Sequence, residues 1–333
     1  MRDENIDSQA LLDEVISYID EGEFEAAENK ARDLQKLGIT DGWHLLGVIL
    51  LHQGEEEAAL AVLDEGIAKF PDDFGLPLEK ANIYMALERY EEAQALMEEI
   101  KPMAGDMASE VEMMQARGEF MQGEVDSALN RLQAITEEEY VLDAFHLQFE
   151  LLEAVGRTDM ILEIATEELE SLPVPNNEED FETMAGILAK VANAYWEEKD
   201  DISTARHYLK LAFHYYRNHL DALWLWREIE PEFADSPTAF TIEMNGTFLS
   251  REDLGEVSGK KYHTHYGVIA DTLDAALAYI KDFDIDAVDK SAFKILSIEE
   301  EEAESDEAMG VYWAGDMSVI DEDFISPNGI SHN

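Results

Sequence analysis

The nine histidines are the residues best suited to acid–base or metal chemistry in a chain without cysteine, and two of them stand two apart in KYHTHYGVIA (261–270). Apolar and polar residues alternate there as in a β strand, so His263 and His265 point to the same side. Such a pair suits two imidazole ligands of a metal, with a nearby carboxylate as the third. The same alternation also puts two polar residues on a solvent face for no chemical reason. The expectation is the second: no metal ligand, no cofactor and no catalytic residue. His207 and His214, seven apart in RHYLKLAFHYYR (206–217), lie among Tyr208, Phe213, Tyr215 and Tyr216 and read as packing residues.

No Gly-rich phosphate loop, HExxH pair or nucleophile elbow occurs. Without cysteine there is no disulfide framework, thiolate nucleophile or Cys-ligated zinc. Acidic residues number 76 against 23 basic, a formal net charge of -53, at similar density along the whole chain. Nucleic acid and anionic membrane surfaces are excluded as ligands, because both are held by Lys and Arg. Acidic pairs such as Glu55/Glu56 and Glu91/Glu92 read as solvated helix faces. The first twenty residues mix charges and offer no apolar signal core, and no apolar run reaches the ~20 residues of a membrane span. The expectation is a cytoplasmic protein.

The elements that would position any site show a repeat. In DGWHLLGVILLHQGEEEAALAVLDEGIAKFPDD (41–73), Trp43, Leu46, Gly47 and Leu50 are followed by Ala59, Leu63, Gly66 and Pro71. Equivalents of Ala59 recur at Ala27, Ala93, Ala128, Ile161 and Ala205, spaced 32 to 35 residues except for a last step of 44. Each follows a similar turn, from EGEFEAA to EKDDISTA. The long step contains SLPVPNNEEDF (171–181), read as an inserted loop. The pattern resembles the tetratricopeptide (TPR) family. That resemblance implies a mostly α fold: a TPR-like solenoid of about six helix pairs over residues 6–217, with small residues at the Gly47 and Ala59 slots letting helix backbones approach. LDALWLWREIE (220–230) would cap the stack. Trp224 and Trp226 cannot share a helix face, so one should pack on the last repeat and the other on the region C-terminal to the cap.

The resemblance also implies a groove lined by the first helix of each pair. Its register names His44, Val48 and Leu51, then Leu78, Asn82 and Met85, then Met113, Arg117 and Phe120. The fifth unit adds His146, Glu150 and Glu153, and the sixth Lys190, Ala194 and Glu197. Only Asn82, Arg117 and Lys190 suit a clamp for an acidic peptide. The mixture of apolar, histidine and acidic residues points instead to a basic or amphipathic segment, bound as a helix or an extended strand.

After Pro231 the period changes. FTIEMNGTF (240–248) alternates and carries Asn245-Gly246, a hairpin signal. KYHTHYGVIA is a second strand, TLDAALAYIKDF (272–283) a helix, AFKILSIEEEE (292–302) a strand running into a solvated acidic segment, and GVYWAG (310–315) a last strand. The expected organisation is a repeat array with its cap over 1–235, a small α+β domain over 236–320 and a disordered tail over 321–333. The function expected is a non-enzymatic scaffold or adaptor that binds a basic or amphipathic protein partner through the repeat groove. Two alternatives stand beside it: an immunity protein or inhibitor that neutralises a basic toxin or nuclease, and an enzyme whose site lies in the α+β domain near His263, His265, Tyr312 and Trp313.

Overall fold

A computed structural model describes residues 8–320, so the expected tail over 321–333 lies outside the described residues. The chain forms two compact units that divide between Tyr140 and Val141.

The first unit is four helix pairs: α1 (Ser8–Asp20) with α2 (Phe24–Leu37), α3 (Asp41–His52) with α4 (Glu56–Lys69), α5 (Gly75–Ala86) with α6 (Tyr90–Ile100), and α7 (Ala108–Met121) with α8 (Val125–Gln133). Consecutive pairs pack on one another, α2 on α3, α4 on α5 and α6 on α7. A lone pair would leave its apolar face in water; stacking buries it. Trp43 is buried at the centre, edge-on to Phe70 at 5.2 Å, with Lys69 Nζ 4.1 Å over its ring.

The small slots behave differently from one another. A Cβ on Gly47 would meet the Leu63 side chain at 3.0 Å, so this glycine makes room for a leucine on α4. The close backbone approach is at Gly42, where a Cβ would lie 2.6 Å from the Gln35 amide nitrogen and 2.8 Å from the Ala31 carbonyl oxygen. The repeat pattern assigns the contact of backbones to Gly47, and it falls instead at the start of α3, against α2.

The second unit holds the remaining two pairs and the sheet. Helices α9 (Val141–Ala154), α10 (Thr158–Glu168), α11 (Glu178–Lys199) and α12 (Ile202–Tyr215) pack in series, followed by α13 (Leu220–Glu228). The 44-residue step is only partly a loop: Asn177 caps α11 by accepting from the Asp180 amide at 2.9 Å, and α11 itself has 22 residues. All six marker residues, Ala27, Ala59, Ala93, Ala128, Ile161 and Ala205, are fully buried. The turn inside each pair holds a left-handed residue at the matching place, glycine at 22, 54, 123 and 156 but Glu88 and Asp200 in the third and sixth pairs.

The sheet is β1 (Thr238–Thr247), β2 (Lys261–Ala270), β3 (Lys294–Glu302), β4 (Gly310–Ala314) and the short β5 (Ser318–Val319), ordered β3-β1-β2-β4 with β5 also on β2. All these pairings are antiparallel. Helix α14 (Leu273–Phe283) packs on β2 and β4, and α13 packs on β4. Phe240, Ile242, Met244, Tyr262, Tyr266 and Val268 are buried, while Glu243, Asn245, His263 and His265 alternate with them on the other face. Asn245-Gly246 does not make a turn. Both residues lie inside β1 opposite His263 and Tyr262, and glycine is needed because a Cβ there would sit 2.3 Å from the Tyr262 ring. The glutamates at 299–302 are solvated as expected, and they continue β3 as an edge strand.

Candidate partner-binding site

Within the second unit, α9, α11 and α13 enclose a depression of about 230 Å³ lined by Glu153, Ala189, Lys190, Asn193, Asp221, Trp224 and Leu225. Small-molecule sites run from roughly 300 Å³ upward. This one is closer to the size of a single side chain. Ala189 and Leu225 are buried and form its apolar floor. One wall is held rigid by Glu153, which accepts from Lys190 Nζ at 2.9 Å and from Asn193 Nδ2 at 3.0 Å.

The rim comes from α13. His219 caps this helix, its Nδ1 accepting from the Ala222 amide at 3.4 Å. Burial holds the His219 imidazole below its ordinary range, which favours the neutral ring that a cap requires. Trp226 turns inward, edge-on to Phe213 at 5.8 Å and covered by the Arg206 guanidinium at 4.5 Å. Trp224 turns outward and stays 53% exposed, with Leu220 one turn earlier 72% exposed. One indole therefore packs on the last repeat as expected. The other is not consumed by the sheet but stands open beside Asp221.

The groove residues named from sequence fall in both units. In the first, His44 is half-buried, its Nε2 3.5 Å from Asp73 Oδ1, and a Cβ on Gly75 would collide with its ring. Val48, Leu51, Met113 and Phe120 are partly buried, and Asn82 and Arg117 are exposed. Asn82 donates to Glu79 at 3.3 Å, and Met85 packs against Gly118 of α7. In the second, His146 fits against Gly186 of α11, where any Cβ would meet its Nε2 at 2.6 Å, and Ala194 is buried. Glu150 is half-buried and Glu197 exposed. Of these groove positions the depression takes Lys190, and Glu153 beside it. Asn193, Asp221 and Trp224 belong to no slot of the repeat pattern; the signal for Trp224 is its spacing from Trp226.

Several cations are paired with carboxylates of neighbouring helices. Lys30 pairs with Glu14, Lys80 with Asp64 at 2.5 Å, and Arg131 with both Glu112 and Glu119. Those two carboxylates hold the Arg131 guanidinium well above its ordinary range. Asn82 and Lys190, two of the residues suited to an acidic-peptide clamp, each already serve a neighbouring glutamate. His207 and His214 are not packing residues as expected: both are exposed, each edge-on to the tyrosine next to it in sequence. Among the described residues, Glu243, His263 and His265 bring three potential metal-binding atoms within 4.8 Å of one another. No helix among those residues is long and apolar enough to cross a membrane.

Two tetratricopeptide-repeat family models match the sequence, over residues 12–74 and 50–118. Residues 12–118 are thus tetratricopeptide repeats, and the sheet region is matched by neither model. Solved structures with a similar course include the APC/C hetero-tetramer Cut9–Hcn1 (13% identity, 67% of this chain and 43% of that chain, TM-score 0.41). PilF of Pseudomonas aeruginosa (14%, 66% and 97%, 0.40) and the TPR protein TTC0263 of Thermus thermophilus (17%, 62% and 99%, 0.37) are others. This chain thus spans under half of the Cut9–Hcn1 chain it matches. No curated protein is significantly similar in sequence. Tetratricopeptide arrays present extended concave surfaces to protein partners, and the repeats here support a protein-interaction scaffold.

Proposed function

We propose that the protein is a non-enzymatic scaffold whose helical repeats hold a basic or amphipathic segment of a protein partner. The observation that carries this reading is Trp224: a half-exposed indole at the rim of a side-chain-sized depression whose lining carries the Asp221 carboxylate beside the internally paired Lys190 and Glu153. Trp is enriched among the residues that dominate protein interfaces, and an indole beside a carboxylate favours Lys or Arg through ring and charge together. The surplus of acid over base speeds encounter with a basic partner and makes the association sensitive to salt. Within the first unit, His44, Val48, Leu51, Met85, Met113 and Phe120 would form a contact surface of their own.

A fluorescein-labelled amphipathic Lys/Leu helical peptide tests the reading by anisotropy. Binding should weaken at least tenfold in Trp224→Ala and fall with salt, while Trp313→Ala, on the sheet, leaves it unchanged. Binding that ignores Trp224→Ala would reduce the interaction to unspecific charge attraction and remove the depression from the proposal.

A further inference from the structure

The open face of the sheet carries a second arrangement that owes nothing to the helical repeats. In the β1–β2 ladder Glu243 stands directly opposite His265, and Asn245 opposite His263. One carboxylate oxygen, Glu243 Oε1, lies 3.5 Å from His263 Nε2 and 3.9 Å from His265 Nε2. The two rings are 4.8 Å apart and nearly perpendicular. Ligand atoms bound at about 2 Å to one tetrahedral ion are about 3.3 Å from each other, so the three ligand atoms, all within 4.8 Å of one another, need a contraction of at most about 1.5 Å to close the set.

The atoms behind these ligands matter as much as the ligands. His263 Nδ1 is 3.1 Å from Asn245 Oδ1, an acceptor that takes a proton from Nδ1, so Nε2 is the ring nitrogen turned toward Glu243 and available to an ion. Ser297 of β3 donates to Glu243 Oε2 at 2.6 Å, which leaves Oε1 turned to both imidazoles. A solvent face decorated at random has no reason to orient its side chains in this way. The three residues keep side-chain exposures of 31%, 43% and 33%, enough for an ion to enter and for water to complete its shell.

The geometry points to a binding site for a divalent transition metal, formed by Glu243, His263 and His265 with solvent in the remaining position. Two imidazoles and one carboxylate suit zinc, nickel or copper. Calcium and magnesium, which take oxygen ligands, are disfavoured. Register places Glu299 beside Thr241 on the same face, where it adds to the local attraction for cations. Trp313 lies 6.4 Å from His265, close enough for a bound paramagnetic ion to quench its fluorescence.

Zinc chloride titrated calorimetrically into the full chain, with about 10 mM magnesium present to occupy scattered carboxylates, should give one saturable site. His263→Gln, His265→Gln and Glu243→Gln should each weaken it at least tenfold, and Ser297→Ala by a smaller factor. Circular dichroism confirms that each variant folds. Copper bound to the unaltered protein should show two nitrogen donors by electron paramagnetic resonance, a readout that needs no variant. A His263→Gln/His265→Gln protein that keeps zinc stoichiometry and affinity, or copper held by oxygen donors alone, would overturn the site.

Discussion

Arg217, in the turn after α12, donates from Nη2 to Asp284 Oδ1 at 3.0 Å, and Asp284 has no exposed side-chain surface at all. Tyr266 on β2 completes the cluster, its hydroxyl 2.9 Å from both carboxylate oxygens and from the same guanidinium nitrogen. Arg217 Nε also donates to the Gly315 carbonyl at 3.3 Å. One buried cation thereby joins the last helix pair to the sheet and to the end of α14. Arg217→Met leaves Asp284 buried without its cation and should destabilise the second unit by about 3–5 kcal/mol, measured by urea unfolding. Arg217→Met combined with Asp284→Leu should cost less than Arg217→Met alone; an equal or greater loss would assign the cluster a packing role.

The two glycines of α3 should respond differently to alanine. Gly47→Ala meets only a leucine side chain, and the gain of about 1 kcal/mol in helix propensity offsets part of the overpacking cost. Gly42→Ala meets fixed backbone atoms of α2 and should cost about 3 kcal/mol or more. Melting temperatures in the order wild type, Gly47→Ala, Gly42→Ala would support this. The reverse order of the two variants would move the tight crossing back to Gly47.

His219 gives a signed pH dependence. Its folded-state pKa is held below the ordinary 6.5 by burial, so the unfolded chain binds the extra proton first. The stability contributed by the neutral ring is present above about pH 6.5 and is lost as pH falls below that. Protonation also removes the Nδ1 lone pair that caps α13. His219→Asn keeps a capping oxygen without a titrating group, so the difference in stability between wild type and variant should shift against wild type from pH 7 to pH 5. A constant difference would contradict this.

Charge repulsion should be visible in the melt. With a net charge of -53, raising NaCl from about 20 to 300 mM should raise the melting temperature by several degrees through screening. A salt-independent melt would show that the carboxylates are too far apart to repel.

The helix pairs are legible in the sequence because a period of about 34 residues recurs with a small residue in five of the six slots and a glycine in four of the six turns. The misreadings share a physical origin in contacts that no local pattern encodes. Asn245-Gly246 has the composition of a turn, yet its glycine answers to the Tyr262 ring on the neighbouring strand. The glutamates of 299–302 are the solvated run that they look like; only their place in β3 was hidden, because a strand at the margin of a sheet can carry them with one long side bare. Glu243 stands 20 residues from His263, so only the strand register reveals that they meet. Asp221 and Trp224 sit on a helix outside the repeat, which the family pattern does not describe.

The acidic outer strand has a consequence for how the molecule keeps company with copies of itself. β3 offers its unpaired backbone groups along one border of the sheet, and Glu299, Glu300, Glu301 and Glu302 line that border. At neutral pH the fence of like charge repels an approaching identical ribbon. Once acid neutralises those carboxylates the barrier becomes a template, and sheet-to-sheet growth in concentrated acidic solution should begin at this border.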